Sequence, residues 1–315
     1  MPHKAIWVNS DATQEVKSIP GDYEPPKGDL LLKTICVAVN PGDFKHPETF
    51  GAVNTVEGFD AVGEVIGIGP ETEGFKIGEK VLTFARGIGP AEWGASQEFF
   101  LALAATCWSF DESKLSEDQA ATIPLALFTA CDGLGCHPII VTASPKQHDY
   151  LRTLGGDIVL GYKDENVVER IKEAIPGSKK LKHGFNCVGA SVELLEDVID
   201  QGGSIILSLP PTAQCPDHHV EMAIAGTVHD LETFKVPGFK FHQGVEPRDS
   251  HGAEVLRSIM HWTLKEIGVW YQPPRVRTLG GRGMYDAFEA FALMRENRIS
   301  GEKVVWRMSE TPGLL

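Results

Sequence analysis

The sequence predicts an α/β protein in two parts, a barrel of short strands and a parallel sheet flanked by helices. Three observations carry this. Residues 1–124 hold short β-branched runs punctuated by glycine and proline. Residues 137–210 alternate short apolar runs with amphipathic stretches, the pattern of strands and helices packed in layers. A last helix and strand then follow, "MYDAFEAFALMREN" and "GEKVVWRM".

Taken in order, "DLLLKTICVAVNPGD" reads as a strand ending in a Pro-Gly turn. "GFDAVGEVIGIGP" and "GEKVLTFA" are further short strands. Gly58, Gly63, Gly67, Gly69, Gly74 and Gly78 crowd this region, which suits the bends of a small barrel. "SEDQ", Ser116 to Gln119, is a capping box opening a short helix that Pro124 follows. "PIIVTAS" is then a buried strand. In "SPKQHDYLRTLGG", Ser144 is expected as N-cap, Pro145 as first helical residue, Gln147 as capping-box partner and Gly155 as the stop. Strand "DIVLGY", helix "DENVVERIKEA", strand "HGFNCVG", helix "SVELLEDVI" and strand "GSIILSLPP" complete the alternation. Residues 251–268 form a further helix. In the last helix Met284, Phe288, Phe291 and Met294 share one face. No internal repeat and no low-complexity segment occurs.

Composition narrows the function classes. The chain has 315 residues, room for two domains and a sizeable core, with 42% hydrophobic and 23% charged residues. Its 29 basic and 43 acidic residues give a formal net charge of −14, which disfavours nucleic acid or an anionic membrane as partner. The start, with Asp11 and Glu15, lacks the apolar stretch of a secretory signal, and no apolar run is long enough to span a membrane. Six cysteines are scattered without a CxxC pair, as expected of a reduced, cytoplasmic protein.

The segments "AVNPGDFKHP" (38–47), "GFDAVGEVIGIGPETEGFKIGEKV" (58–81), "WGASQEFF" (93–100), "ATIPLALFTA" (121–130), "TASPKQHDYLRTLGGDIVLGYKD" (142–164), "FNCVG" (185–189) and "GEKVVWRM" (301–308) run through nearly the whole chain. On them the sequence resembles the medium-chain dehydrogenase/reductases. The likeness is to the zinc-free quinone oxidoreductases and the trans-acting enoyl reductases of fungal polyketide pathways. The resemblance implies a GroES-like β-barrel and a Rossmann-type parallel sheet. The expected boundaries are 1–124 with 266–315 for the barrel and 125–265 for the nucleotide-binding domain. Two departures stand out. The cysteines of zinc-dependent relatives are missing, so no catalytic zinc is expected. The adjacent His218 and His219, with His242 and His251, show no metal-ligand spacing. The second departure is a deletion. The family continues "LFTA" into a first Rossmann strand, Gly-rich turn and helix, whereas here "CDGLG" leads directly to the second strand. A skipped exon or mispredicted splice site explains this as well as a true truncation does. "GLG" at 133–135, with no strand before it, is a weak substitute for a phosphate loop.

Site residues follow from the same likeness. Asn40, Asp43 and Lys45 match the family turn that borders nicotinamide and substrate, although Asn-Pro-Gly-Asp is strong turn chemistry by itself. Thr129 matches the family threonine near the nicotinamide; otherwise it is an ordinary helix residue. Lys45 and Thr129 are the catalytic candidates. Ser144 and Lys146 stand where NAD-selective units place an acid, which favours NADP through its 2′-phosphate, and Tyr162 matches the tyrosine that packs on that phosphate. Cys187, Val188 and Gly189 match the strand end under the cofactor, as do Leu207 and Ser208; Cys187 also suits a plain buried thiol. The implied function is NADPH-dependent reduction of an activated double bond in a small-molecule or carrier-bound substrate, with a polyketide synthase as candidate partner. NADP binds weakly or not at all if the deletion is real. The alternative is a cofactor-free, non-catalytic descendant that binds a pathway intermediate or partner protein.

Overall fold

The computed structural model describes residues 2–130, 138–175, 181–187, 192–208, 215–222 and 250–314. The chain forms two compact units. Among the described residues, the first holds 2–127 and 250–314, and the second holds 128–222.

The first unit begins with β1 (His3–Val8), β2 (Gln14–Ile19), β3 (Asp29–Ala38), α1 (Gly42–Phe50), β4 (Thr55–Val56), β5 (Asp60–Ile68), β6 (Lys80–Phe84), β7 (Phe99–Leu103), β8 (Cys107–Ser109) and α2 (Glu117–Ala121). α3 (Pro124–Ala130) leads on to the second unit: β9 (Ile140–Ala143), α4 (His148–Thr153), β10 (Ile158–Gly161), α5 (Val167–Ala174), β11 (Leu181–Asn186), α6 (Val192–Val198), β12 (Ile199–Leu207) and β13 (His219–Met222). The first unit resumes with α7 (Ser250–Lys265), β14 (Arg275–Arg277), α8 (Met284–Arg295) and β15 (Glu302–Arg307).

In the first unit β14-β15-β3-β5-β6-β8 form one sheet, with β7 also paired to β3, and β2-β1-β4 form a second. β15 lies antiparallel to the end of β3, Val305 opposite Ala38 and Arg307 opposite Cys36. The apolar run of β3 is buried through Leu30 and Leu32, which share a core with Phe100, Trp306, Met284 and Phe291. The predicted face of α8 packs here: Met284 and Phe291 are buried, and Phe288 and Met294 are partly so. Asp286 is buried on the same helix, where it accepts hydrogen bonds from the backbone N–H and Nε of Arg282. The capping box of α2 forms as expected: Ser116 Oγ accepts from Gln119 N (3.2 Å), and Gln119 Oε1 accepts from Ser116 N (3.0 Å).

Two local expectations need correction. Ser144 makes no side-chain cap and Gln147 no capping box. The chain turns there as a 3-10 turn, Pro145–Gln147, and the Gln147 N–H goes to the Ser144 carbonyl at 2.9 Å instead of to its hydroxyl. "NPGD" is more than a turn, because α1 starts at Gly42 with Asp43 in its first turn.

Asp60 is completely buried at the start of β5. It accepts from the Lys303 ammonium on β15, from Asn40 Nδ2 (3.1 Å) and from the backbone N–H of Leu125 (2.8 Å). Lys303 also donates to the Thr122 carbonyl (3.3 Å). Removing one member of such a pair leaves an uncompensated charge in the interior, a loss of about 3–5 kcal/mol. Lys303→Met is therefore expected to lower the urea midpoint steeply, and Lys303→Met with Asp60→Asn to recover part of the loss. A midpoint unchanged by Lys303→Met would show that the pair is not sequestered from water.

Candidate functional site

At the end of β3 the chain makes a turn whose polar groups face inward. Asn40 Nδ2 donates to the Ala38 carbonyl (3.2 Å) and to Asp60, while its backbone N–H donates to Asp43 Oδ2 at 2.7 Å. The Asp43 carbonyl accepts from Gln14 Nε2 (2.8 Å), which ties the turn to β2. Asn40 and Asp43 are both buried. Lys45, one residue past Phe44 on α1, is half-buried. The structure brings Asn40 and Asp43 together, then, as members of a buried network.

That network contains an acid absent from the sequence-derived set. Glu57 is buried, and neither of its carboxyl oxygens has a hydrogen-bond partner among the described residues. Burial first, and the neighbouring Asp43 second, hold it well above the usual carboxylate range. Burial pushes Asp43 up to about 7, the Asn40 N–H opposing and the Asp60 charge adding. Burial also raises Asp60, against the pull of Lys303. Asp43 and Asp60 thus share the field of one ammonium, and Glu57, with burial and Asp43 both acting against its charge, is pushed towards the neutral acid. Burial likewise lowers His46 to about 4, so that its imidazole is neutral at pH 7.

In the second unit, β9 and β10 pair in parallel from Ile140–Ile158 to Ala143–Gly161. A pocket opens at their carboxyl ends, lined by Ser144, Pro145, Gly161, Tyr162, Lys163 and Asp164. This is the end of a parallel sheet at which ligands bind in α/β folds. Ser144 and Tyr162, predicted separately, are brought together. Lys146 is exposed and lies outside the lining. Lys163 lines it instead, with its ammonium 5.5 Å from the Tyr162 ring centroid. The signal for Lys163 was its place directly after Tyr162 in "GYKD". Asp164 folds back over the strand end, so that a Cβ on Gly161 would clash with its Oδ1. Arg170 Nη1 donates to Asp164 at 2.5 Å and compensates its charge. The pocket therefore presents a hydroxyl, an aromatic ring and an ammonium, a set that fits a phosphorylated ribose.

The remaining candidates are scattered. Thr129 is half-buried on α3. Cys187 is exposed just past β11 rather than buried. Val188 and Gly189, like "GLG" at 133–135 and His242, lie outside the described residues. Leu207 is fully buried in the apolar core of the second unit, so its side chain packs and does not line a site. The Ser208 backbone N–H donates to the Asn186 carbonyl (2.9 Å), and its hydroxyl has no hydrogen-bond partner among the described residues. Among those residues no group of three His, Cys, Asp or Glu side chains is arranged to hold a metal ion, and no helix is long and apolar enough to cross a membrane.

Residues 26–112 match the alcohol dehydrogenase GroES-like domain. A zinc-binding alcohol dehydrogenase domain-containing protein of Emericella nidulans is 28% identical over 248 residues, covering 71% of this chain and 78% of that one. A trans-enoyl reductase of Pyricularia oryzae is 23% identical over 97% of this chain and 98% of its own length. That pairing runs over 356 positions, more than the 315 residues present here, so the relative carries residues without a counterpart in this chain. Among solved structures, a zinc-dependent alcohol dehydrogenase-like protein of Rhizobium etli superposes with TM-score 0.76 at 18% identity over 97% of this chain and 98% of that chain. The JamJ enoyl reductase does so with TM-score 0.68, also at 18% identity, over 97% and 98% of the two chains. The chain thus carries an alcohol dehydrogenase GroES-like domain over residues 26–112 and shares the fold of these alcohol dehydrogenase-like and enoyl reductase structures.

The buried acids make stability depend on pH in a defined direction. Asp43 has a raised pKa in the folded state, so the folded protein holds its proton over a range where the unfolded chain has lost it. Its contribution is complete below the ordinary value of 3.8 and lost as pH rises through about 7. Asp43→Asn is expected to flatten the fall in stability between pH 4 and 7, measured by urea unfolding across that range. An identical slope in both proteins would remove Asp43 from the account.

Proposed function

We propose that this protein is an NADPH-dependent oxidoreductase that reduces an activated carbon–carbon double bond, in an enoyl thioester, an enone or a quinone, within fungal secondary metabolism. The observation that carries this reading is the pocket of Ser144, Tyr162 and Lys163 at the carboxyl ends of β9 and β10, the place and chemistry for the 2′-phosphate of NADP. Relatives named trans-enoyl reductases support the same reaction class.

When bound, the dinucleotide supplies a hydride to the β-carbon of the double bond. The protein's part is to orient the substrate and stabilise the negative charge that develops on the carbonyl oxygen. Lys45 is the residue of the first unit proposed to donate to that oxygen, and water supplies the proton to the α-carbon; Thr129, the other catalytic candidate, belongs to the second unit. Asn40 and Asp43 act through the shape of the turn that carries Lys45, because Asn40 Nδ2 and Asp43 Oδ2 are engaged inside it. No zinc takes part in this reading. A carrier-bound substrate fits it, with a polyketide synthase as the source.

The residues fit only part of the dinucleotide. Ser144, Tyr162 and Lys163 suit the adenosine end. For the pyrophosphate, a doubly wound fold uses the turn and helix after its first strand. Only residues 131–137 are available for that whole unit. This favours a second reading for the 315-residue chain alone, a non-catalytic descendant that binds a pathway intermediate or a partner enzyme.

The two ends of the cofactor are tested separately. The 315-residue protein is expected to bind adenosine 2′,5′-bisphosphate in preference to AMP by titration calorimetry. Lys163→Glu should erase the preference, because losing a hydrogen bond to a charged group weakens binding by about 10- to 100-fold. Lys146→Glu should have the smaller effect. Equal affinity for the two nucleotides would overturn the NADP assignment. One zinc per chain by elemental analysis of untagged protein would overturn the metal-free mechanism.

A further inference from the structure

A doubly wound sheet has the strand order 3-2-1-4-5-6, with its first strand in the middle. The second unit shows this order with the middle missing. β10-β9 is one parallel pair and β11-β12-β13 a separate parallel triplet, and among the described residues no strand joins them. Numbered as a doubly wound sheet, these are strands 3-2 and 4-5-6.

Burial follows the same division. In a complete sheet β9 and β11 would be interior strands covered on both faces, as parallel strands are. Here β9 is half-buried along its whole length, and Ile139 just before it is 46% exposed, although "PIIV" is an apolar run suited to full burial. β11 exposes Lys182 and His183. The strands next to them do better: Val159 and Leu160 of β10 and Ile205, Ile206 and Leu207 of β12 are buried. The strands that should be most central are thus less covered than β10 and β12 beside them.

The two half-sheets are nevertheless parts of one body. Leu160, Ile171, Val192, Ile205 and Leu207 belong to a single apolar cluster against which Ile140 and Leu181 pack. α5 and α6 bridge the halves, so the gap between β9 and β11 is bounded on one side by a shared core. A typical strand of about 5–6 residues and a helix of about 11–12 would not fit in 131–137. The Pyricularia oryzae pairing is longer than the chain, as an internal gap requires.

We infer that the second unit is built around a slot one strand wide between β9 and β11, and that its occupant is a strand–turn–helix segment of a longer form of this same chain, inserted between Ala130 and Pro138. The segment completes the parallel sheet and covers the exposed faces of β9 and β11. The inference rests on sheet order and burial and does not depend on the reaction proposed above.

Amide hydrogen exchange reads the slot directly. Three proteins are compared: the 315-residue chain, the chain carrying the corresponding segment of the Pyricularia oryzae relative between Ala130 and Pro138, and a control with a Gly/Ser insertion of equal length. In the 315-residue chain, amides of Ile140–Ala143 and Leu181–Asn186 are expected to exchange at least 100-fold faster than those of Ile205–Leu207, with β3 as the internal folded reference. The relative's segment should remove most of that difference, and the control insertion none of it. A second unit that exchanges throughout in the 315-residue chain and becomes protected with the segment also upholds the slot. Protection of β9 and β11 equal to that of β12 in the 315-residue chain overturns it, as does a segment no better than the control. Reverse-transcribed message spanning codons 130–138 gives an independent reading: a longer in-frame product is expected, and its absence under every growth condition that expresses the gene overturns the longer form. NADPH consumption with an enone is measured alongside. Restored protection without turnover upholds the slot and counts against the reductase reading instead.

Discussion

One buried ion pair organises the first unit. Asp60 lies at the start of β5 with no exposed surface, and its oxygens serve the Lys303 ammonium, the Asn40 amide and the Leu125 backbone N–H. Four chain segments meet on this carboxylate: β5, β15, the turn before α1 and the start of α3. A second buried pair, in which Arg86 donates to both oxygens of Asp29 (2.8 and 2.9 Å), anchors β3 in the same way and leaves the guanidinium against Trp93. Charges in a low-dielectric interior require this degree of satisfaction. The demand extends to neighbours, because Lys303 has one positive charge to set against both Asp60 and Asp43, and Glu57 lies beside Asp43 with none. The acids without such a partner are held towards the neutral form.

This constraint decides what the "NPGD" turn can contribute. Asn40 and Asp43 belong to the network that folds the turn, and both are buried. Chemistry at the turn falls to the half-buried Lys45. In the second unit the division of labour is different. Ser144, Tyr162 and Lys163 carry no comparable structural duty, and they line an open pocket at a strand end.

The sequence revealed the features that depend on near neighbours. The box at Ser116 and Gln119 is a contact across three residues, and it forms as read. The same letters at Ser144 and Gln147 gave a 3-10 turn, because the Ser144 carbonyl captured the N–H that the hydroxyl would have needed. Strand and helix alternation in the second unit was legible from period and length, and so was the shortfall before "PIIVTAS". The acids were not. Asp60 finds its partners 20, 65 and 243 residues away, and nothing in "GFDAVG" marks it as the centre of a network. Glu57 is still less visible, since its carboxyl makes no hydrogen bond among the described residues. Lys146 is the basic residue nearest the second strand, and it is exposed outside the pocket lining. The fold presents the one after the third.

The pairing of β15 with the interior of the first sheet has a consequence for biosynthesis. At about 5–20 residues per second, the interval between the emergence of Asp60 and of Lys303 is on the order of ten to fifty seconds. Throughout that time the nascent barrel lacks the ammonium its buried carboxylate requires, and Cys36–Ala38 present an unpaired edge where β15 will later lie. Such an edge invites pairing with another chain. Losing β15 would therefore undo the pairing of β3, and the nascent chain shows this edge until β15 has left the ribosome.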